Sequence, residues 1–138
     1  MTYCVGMLLD AGAVLVSDSR TNAGIDRVST FQKMFTFEQP GERVFAIVTA
    51  GNLSITQAVI GELNEGLGTG DERRDLFAVP SMFAAVRLVG RALREVYETD
   101  GAYLKQHDVE FNASLLLAGQ ITGRELRLFQ VYAPGNFI

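Results

Sequence analysis

The stretch MTYCVGMLLDAGAVLVSDSR, residues 1–20, decides the fold. Residues 2–9 are apolar and partly β-branched, DAG at 10–12 turns the chain, and VLVSDSR at 14–20 resumes as a second strand. Two such runs across a short glycine-bearing turn read as a β-hairpin. Thr2 stands directly behind Met1, and a methionine before a small residue is usually trimmed. A threonine left at the chain start carries its own base, because its hydroxyl is the nucleophile and its free α-amine takes the proton. Thr2 is equally an ordinary first residue of a strand, so the remaining sequence has to decide.

Working outward, TNAG at 21–24 is small and turn-like. FQKMFTFE at 31–38 alternates, with Phe31, Lys33, Phe35 and Phe37 on one parity, which is strand period. QPGE at 39–42 is a turn, and RVFAIVTAG at 43–51 is a near-continuous apolar strand ending in Gly51. Ser54 and Gln57 match a capping box, opening a helix in which Ile55, Val59 and Leu63 recur every four residues. GLGTGDERRD at 66–75 ends it. A second helix is expected from about Ser81 to Glu98, with Met82, Val86, Val89, Leu93, Val96 and Tyr97 on its apolar face. After a polar stretch at 99–108, FNASLLLAG is a buried strand, QITGRE a turn and LRLFQVYA the hairpin partner. VYAPGNFI at the end is a strand, a Pro-Gly turn and the start of one more strand, which leaves an open sheet edge. Strands, two helices, then strands indicate an α+β fold with antiparallel sheets, expected as one domain over residues 1–138.

Composition narrows the chemistry. The chain is 48% hydrophobic and 20% charged, with a net charge of -4. That balance argues against nucleic acid as a main partner, since phosphate binding needs clustered Lys and Arg. One cysteine, Cys4, excludes an intrachain disulfide and a CxxC motif. The single histidine, His107, has polar neighbours and follows a helix, which reads as a solvated structural group and excludes a His-rich metal site. No run reaches the roughly 18 apolar residues of a membrane span, and no signal peptide is expected, so a cytoplasmic protein is the simplest expectation. In GLGTGDERRD, Gly70 is followed by Asp71 and Glu72, which would repel a phosphate. Arg87, Arg91 and Arg94 on the second helix fit an acidic partner or a solvated helix face equally well.

Thr2, Asp18 and Lys33 form the constellation that carries chemistry. Thr2 opens the first strand, Asp18 lies near the end of its hairpin partner, and Lys33 stands in an otherwise aromatic row. A lysine in such a row is partly desolvated and requires a charge partner, for which Asp18 is available. A cation beside the threonine hydroxyl favours its alkoxide, whereas the bland alternative is a plain structural ion pair. Gly51, ending a strand just before a helix, offers a bare backbone N–H to a developing oxyanion.

Together these residues resemble the N-terminal half of a proteasome-type β subunit. A threonine follows the processed start, and SDSRTNAG at 17–24 is close to the family's Asp-Ser-Arg-x-x-Ala-Gly motif. Lys33 follows at the family's distance, TAGN at 49–52 matches the Ala-Gly ending the next strand, and two helices and a hairpin come in the family's order. The start MTYCVGMLLDAG, with no propeptide, resembles most closely the bacterial Anbu branch of ancestral β subunits. The resemblance covers essentially all 138 residues. It implies the N-terminal nucleophile hydrolase fold, an αββα sandwich of antiparallel sheets, here incomplete at its C-terminal end. It further implies a threonine-type peptidase, with Thr2 as nucleophile once Met1 is lost, Asp18 and Lys33 tuning it, and the Gly51 N–H as oxyanion donor. By the same resemblance Asn22 pairs with the substrate backbone, Thr49 lines the first specificity pocket and Arg20 stands beside the site. No cofactor or metal is called for. The implied substrate is a peptide or protein, and the implied assembly a homo-oligomer, as a ring or open spiral. In the family, the part beyond this stretch carries further strands, two more helices, and a Ser and an Asp that bond the threonine amine and the lysine. The rival readings are a catalytically inactive or truncated scaffold subunit and a small-molecule amidase of the same superfamily.

Overall fold

A computed structural model describes residues 2–22 and 28–138. The opening hairpin is there: β1 (Cys4–Leu9) pairs antiparallel with β2 (Gly12–Ser17), from Cys4 opposite Ser17 to Leu9 opposite Gly12. A second, short hairpin follows, β3 (Arg20–Asn22) against β4 (Val28–Thr30). Residues 21 and 22, expected as turn, are therefore strand, because the pairing from Arg20–Thr30 to Asn22–Val28 satisfies backbone groups that their polar side chains do not advertise. Next come β5 (Met34–Gln39) and β6 (Arg43–Gly51). Lys33, expected inside a strand, stands one residue before β5, although its carbonyl still accepts from the Thr49 N–H at 2.8 Å.

Helix α1 (Leu53–Glu65) starts two residues earlier than the Ser54–Gln57 pattern suggests. Its N-cap is Asn52, whose Oδ1 accepts from the Ser54 N–H at 3.0 Å and from the Ser54 hydroxyl at 2.8 Å. Gln57 instead reaches the Gln32 carbonyl. Helix α2 (Met82–Gln106) begins about where expected, with Ser81 as its N-cap, but runs eight residues past Glu98. The extension through Gly101 persists because the Tyr97 ring covers that glycine, within 2.8 Å of where a Cβ would stand, and packs edge-on against Phe111. A tertiary contact thus offsets the helix-weakening glycine. His107 caps the C-terminus, exposed and beside the Tyr103 ring.

Strands β7 (Ala113–Ile121) and β8 (Arg127–Val131) complete an antiparallel sheet in the order β5-β6-β7-β8. Past β8 the chain turns at Gly135, and Ile138 exchanges both backbone hydrogen bonds with Gln130, so the expected returning strand begins to form. Alternation gives this sheet two faces. Phe45, Ile47, Leu115 and Leu117 enter one core with Ile55, Val59, Val86, Val89 and Leu93 of the helices. On the opposite face Leu116 and Leu128 lie under Gly6 of β1, where a Cβ would come within 3.3 Å of both. The layers are therefore helices, four-stranded sheet, then the β1–β2 hairpin. The outer face of that hairpin, with Val5 opposite Val16 and Met7 opposite Val14, is exposed. Among the described residues no helix is long and apolar enough to cross a membrane.

Candidate active site

Three elements bring Thr2, Asp18 and Lys33 together. The hairpin register puts the start of β1 beside the end of β2, and the link is reciprocal: the Asp18 N–H donates to the Tyr3 carbonyl at 3.0 Å, and the Tyr3 N–H to Asp18 Oδ1 at 3.1 Å. From the sheet side, Lys33 reaches in with only 4% of its surface exposed. Its ammonium has three protons and three acceptors: Thr2 Oγ1 at 3.2 Å, Asp18 Oδ1 at 3.0 Å and the Arg20 carbonyl. A buried ammonium is tolerated only when so satisfied.

The electrostatics follow. The hydrogen bond from Lys33 holds the Asp18 carboxyl below the usual carboxylate range, although the side chain is 30% exposed; the Tyr3 N–H works in the same direction. Asp18 stays anionic and directs the ammonium. Because Thr2 Oγ1 accepts from Lys33, its own hydroxyl proton is left to seek another acceptor. Cys4, two residues on, donates from Sγ to the Thr49 carbonyl at 3.4 Å. Burial, and next the Asp18 charge, push the Cys4 thiol up, so it stays protonated and is a poor rival nucleophile.

That Cys4–Thr49 contact also ties the start of β1 to the end of β6, two residues from Gly51. Gly51 has φ +110° and pairs with Ala113 of β7; a Cβ there would stand 2.4 Å from the Asn112 carbonyl oxygen. Only glycine fits this backbone.

The remaining residues singled out in the sequence fall in different places. Thr49 is 1% exposed, and its hydroxyl lies 3.4 Å from the Lys33 carbonyl, so in this chain it braces the lysine backbone and does not face an open cavity. Arg20 is exposed and contributes its carbonyl to Lys33. Asn22 ends β3 opposite Val28; its side chain, Met1 and the Ala23-Gly24 end of the motif lie outside the described residues. The Arg20 carbonyl and the Thr49 brace were missed by sequence reasoning, and no side-chain pattern signals them. Among the described residues, no three His, Cys, Asp or Glu side chains stand together as a metal site would require.

No protein-family model and no curated protein matches the chain. Solved structures do. An Anbu (Gly-1) mutant from Hyphomicrobium sp. strain MC1 superposes with a TM-score of 0.88 at 43% identity over 100% of this chain and 55% of its own. Anbu (ancestral beta-subunit) from Yersinia bercovieri gives 0.86 at 44% identity, again over 100% and 55%. The helical assembly of the Anbu complex from Pseudomonas aeruginosa gives 0.89 at 42% identity over 100% and 56%. The chain thus spans a little over half the length of the proteins it matches.

Proposed function

We propose, from the premise that this chain belongs to the Anbu (ancestral β-subunit) family and corresponds to the N-terminal part of it, that it carries the nucleophile half of a threonine-type amide hydrolase. The observation behind the reading is Lys33 Nζ at 3.2 Å from Thr2 Oγ1 while paired with Asp18 at 3.0 Å. Once Met1 is removed, the hydroxyl proton of Thr2 passes to its own α-amine as Oγ1 bonds to the substrate carbonyl carbon. The Lys33 ammonium stabilises the charge developing on Oγ1, and the Gly51 N–H receives the carbonyl oxyanion. Collapse breaks the C–N bond, and the threonine ammonium hands its proton to the leaving nitrogen. Water then cleaves the ester by the reverse use of the same groups, restoring hydroxyl and amine. Arg20 and Asn22 border the substrate segment in this reading, while Thr49 braces the Lys33 backbone behind it.

The exposed face of β1 and β2, carrying Val5, Met7, Val14 and Val16, is a wide apolar surface of the kind that proteins cover. We read it as the seat of the remaining part of the family domain, which completes an αββα sandwich and supplies partners for the threonine amine. The P. aeruginosa relative is described as a helical assembly, which supports a self-assembling subunit. The test is turnover of short peptides by the purified protein. Thr2→Ala abolishes it; turnover that persists in this variant, or Met1 retained on every chain, overturns the hydrolase reading and leaves the scaffold reading.

A further inference from the structure

The arginines of α2 stand within a larger arrangement. The connection between the helices brings Arg73 and Arg74 across from Arg87, Arg91 and Arg94, so that half of the chain's ten arginines ring one groove of about 460 Å³. Its floor is apolar, with Ala78, Val79, Pro80, Ala84 and Leu88. Phe83, 57% exposed, stands at its edge with the Arg87 guanidinium 5.9 Å from the ring centroid. The wall is fixed. Leu67 and Arg74 exchange backbone hydrogen bonds at 2.8 and 2.7 Å, Leu67 and Leu76 are buried in the core, and Arg43 donates to the Val79 carbonyl at 2.8 Å.

The charge is largely uncompensated. Among the described residues only Arg91 of the five has a carboxylate partner, Glu95 at 2.8 Å. Arg94 donates to the Pro134 and Gly135 carbonyls, which carry no net charge. Among the described residues the one carboxylate lining the groove, Asp75, accepts from the Ala78 N–H at 2.9 Å. Arg87 and Arg91 stand four apart on one helix face, a like-charge spacing that weakens a helix unless an anion lies between them.

We propose that this groove is a docking site for a short carboxylate-rich segment of a partner protein, with the arginines binding its side chains and the apolar floor holding a hydrophobic residue between them. Guanidinium forks match carboxylates in two-point hydrogen bonds, and arginine holds its charge against an apolar surface better than lysine does. The basic run on α2, from Arg87 to Arg94, covers only about 10 Å of helix. Asp71 and Glu72 precede it on the connection, and Glu98 follows one turn beyond Arg94. A patch so short and so bounded suits a few residues of peptide and not a track of phosphates.

The experiment measures anisotropy of a labelled hexapeptide of alternating glutamate and leucine on the full chain, in parallel with its lysine–leucine counterpart and a single-stranded oligonucleotide of equal length. The glutamate peptide binds, weakens as salt is raised, and weakens about tenfold or more in an Arg87→Glu, Arg91→Glu chain. Should that chain misfold, Arg73→Ser with Arg74→Ser on the connection gives the same direction of change without altering the helix. Thr2→Ala binds the peptide unchanged, so this site and the hydrolase reading fail separately. Unaltered binding in both arginine variants overturns the proposal. So does tighter binding of the lysine peptide or the oligonucleotide, or a loss of self-association in the arginine variants with no peptide bound, which would make a second copy of this chain the occupant.

Discussion

Gly51→Ala and Gly61→Ala add the same methyl group and move stability in opposite directions. At Gly51 the backbone sits at φ +110°, where a side chain costs about 1–3 kcal/mol. The new Cβ also lands 2.4 Å from the Asn112 carbonyl oxygen and 3.0 Å from the Ala113 Cα, both backbone atoms of the neighbouring segment. Relieving that overlap parts the Gly51–Ala113 end of the β6–β7 ladder, an overpacking cost of about 1–3 kcal/mol. The sum is about 2–6 kcal/mol, or roughly 7–21 °C in Tm for a chain of this size. Gly61, on the exposed side of α1, has nothing within 4 Å of its Cβ position, and alanine there gains about 0.5–1 kcal/mol from the unfolded state. Urea and thermal unfolding followed by circular dichroism read both. In an active assembly, displacing the Gly51 N–H by about 1 Å also lowers turnover roughly 100-fold. A Gly51→Ala chain that melts with the unsubstituted one would refute the strand geometry from which the oxyanion role is argued.

Asn52→Ala removes the cap of α1 and costs about 1 kcal/mol, while Ser54→Ala costs less than about 0.5 kcal/mol; the reverse order in denaturant titration would restore the Ser54–Gln57 box. Because Lys33 holds Asp18 below its ordinary range, the stabilisation from this pair is complete above the unfolded carboxyl value near 4 and is lost as pH falls through the lower folded value. The Tm difference between the native chain and Asp18→Asn is therefore constant from roughly pH 7 to 5 and closes only below about pH 4; closure near neutrality contradicts the pairing. Cys4, raised first by burial and then by the Asp18 charge, reacts with iodoacetamide more slowly at about pH 8 than an ordinary free thiol, and rapid alkylation there would place it outside the interior described.

The cluster of Thr2, Asp18 and Lys33 is legible in the sequence chiefly through the motif that carries the family resemblance. The aromatic row does not place it, because Lys33 stands before β5 and reaches the hairpin while Phe35 and Phe37 pack toward the helices. The opening hairpin and the β6–β7 pair are legible because long apolar runs between turn residues leave little choice. The β3–β4 hairpin is not, because three-residue strands carry no period and Arg20-Thr21-Asn22 has the composition of a turn. The last eight residues of α2 read as polar linker; what keeps them helical is the Tyr97–Phe111 packing, which joins residues from different elements. Asn52 and Ser54 are both good caps by type, and only the end of β6 decides between them. The arginine groove is hidden for the same reason as the α2 extension: Arg73 and Arg74 meet Arg87 only after the connection folds back on Leu67 and Leu76.

An α′,β′-epoxyketone peptide tests the hydroxyl–amine pair at once, because its ketone takes the hydroxyl and its epoxide then takes the neighbouring amine. Intact mass and fragment mapping of the treated protein are predicted to show Met1 gone and one doubly bonded adduct confined to Thr2, absent from both Thr2→Ala and Lys33→Ala. An adduct on any other residue, or undiminished labelling without Lys33, would contradict the account.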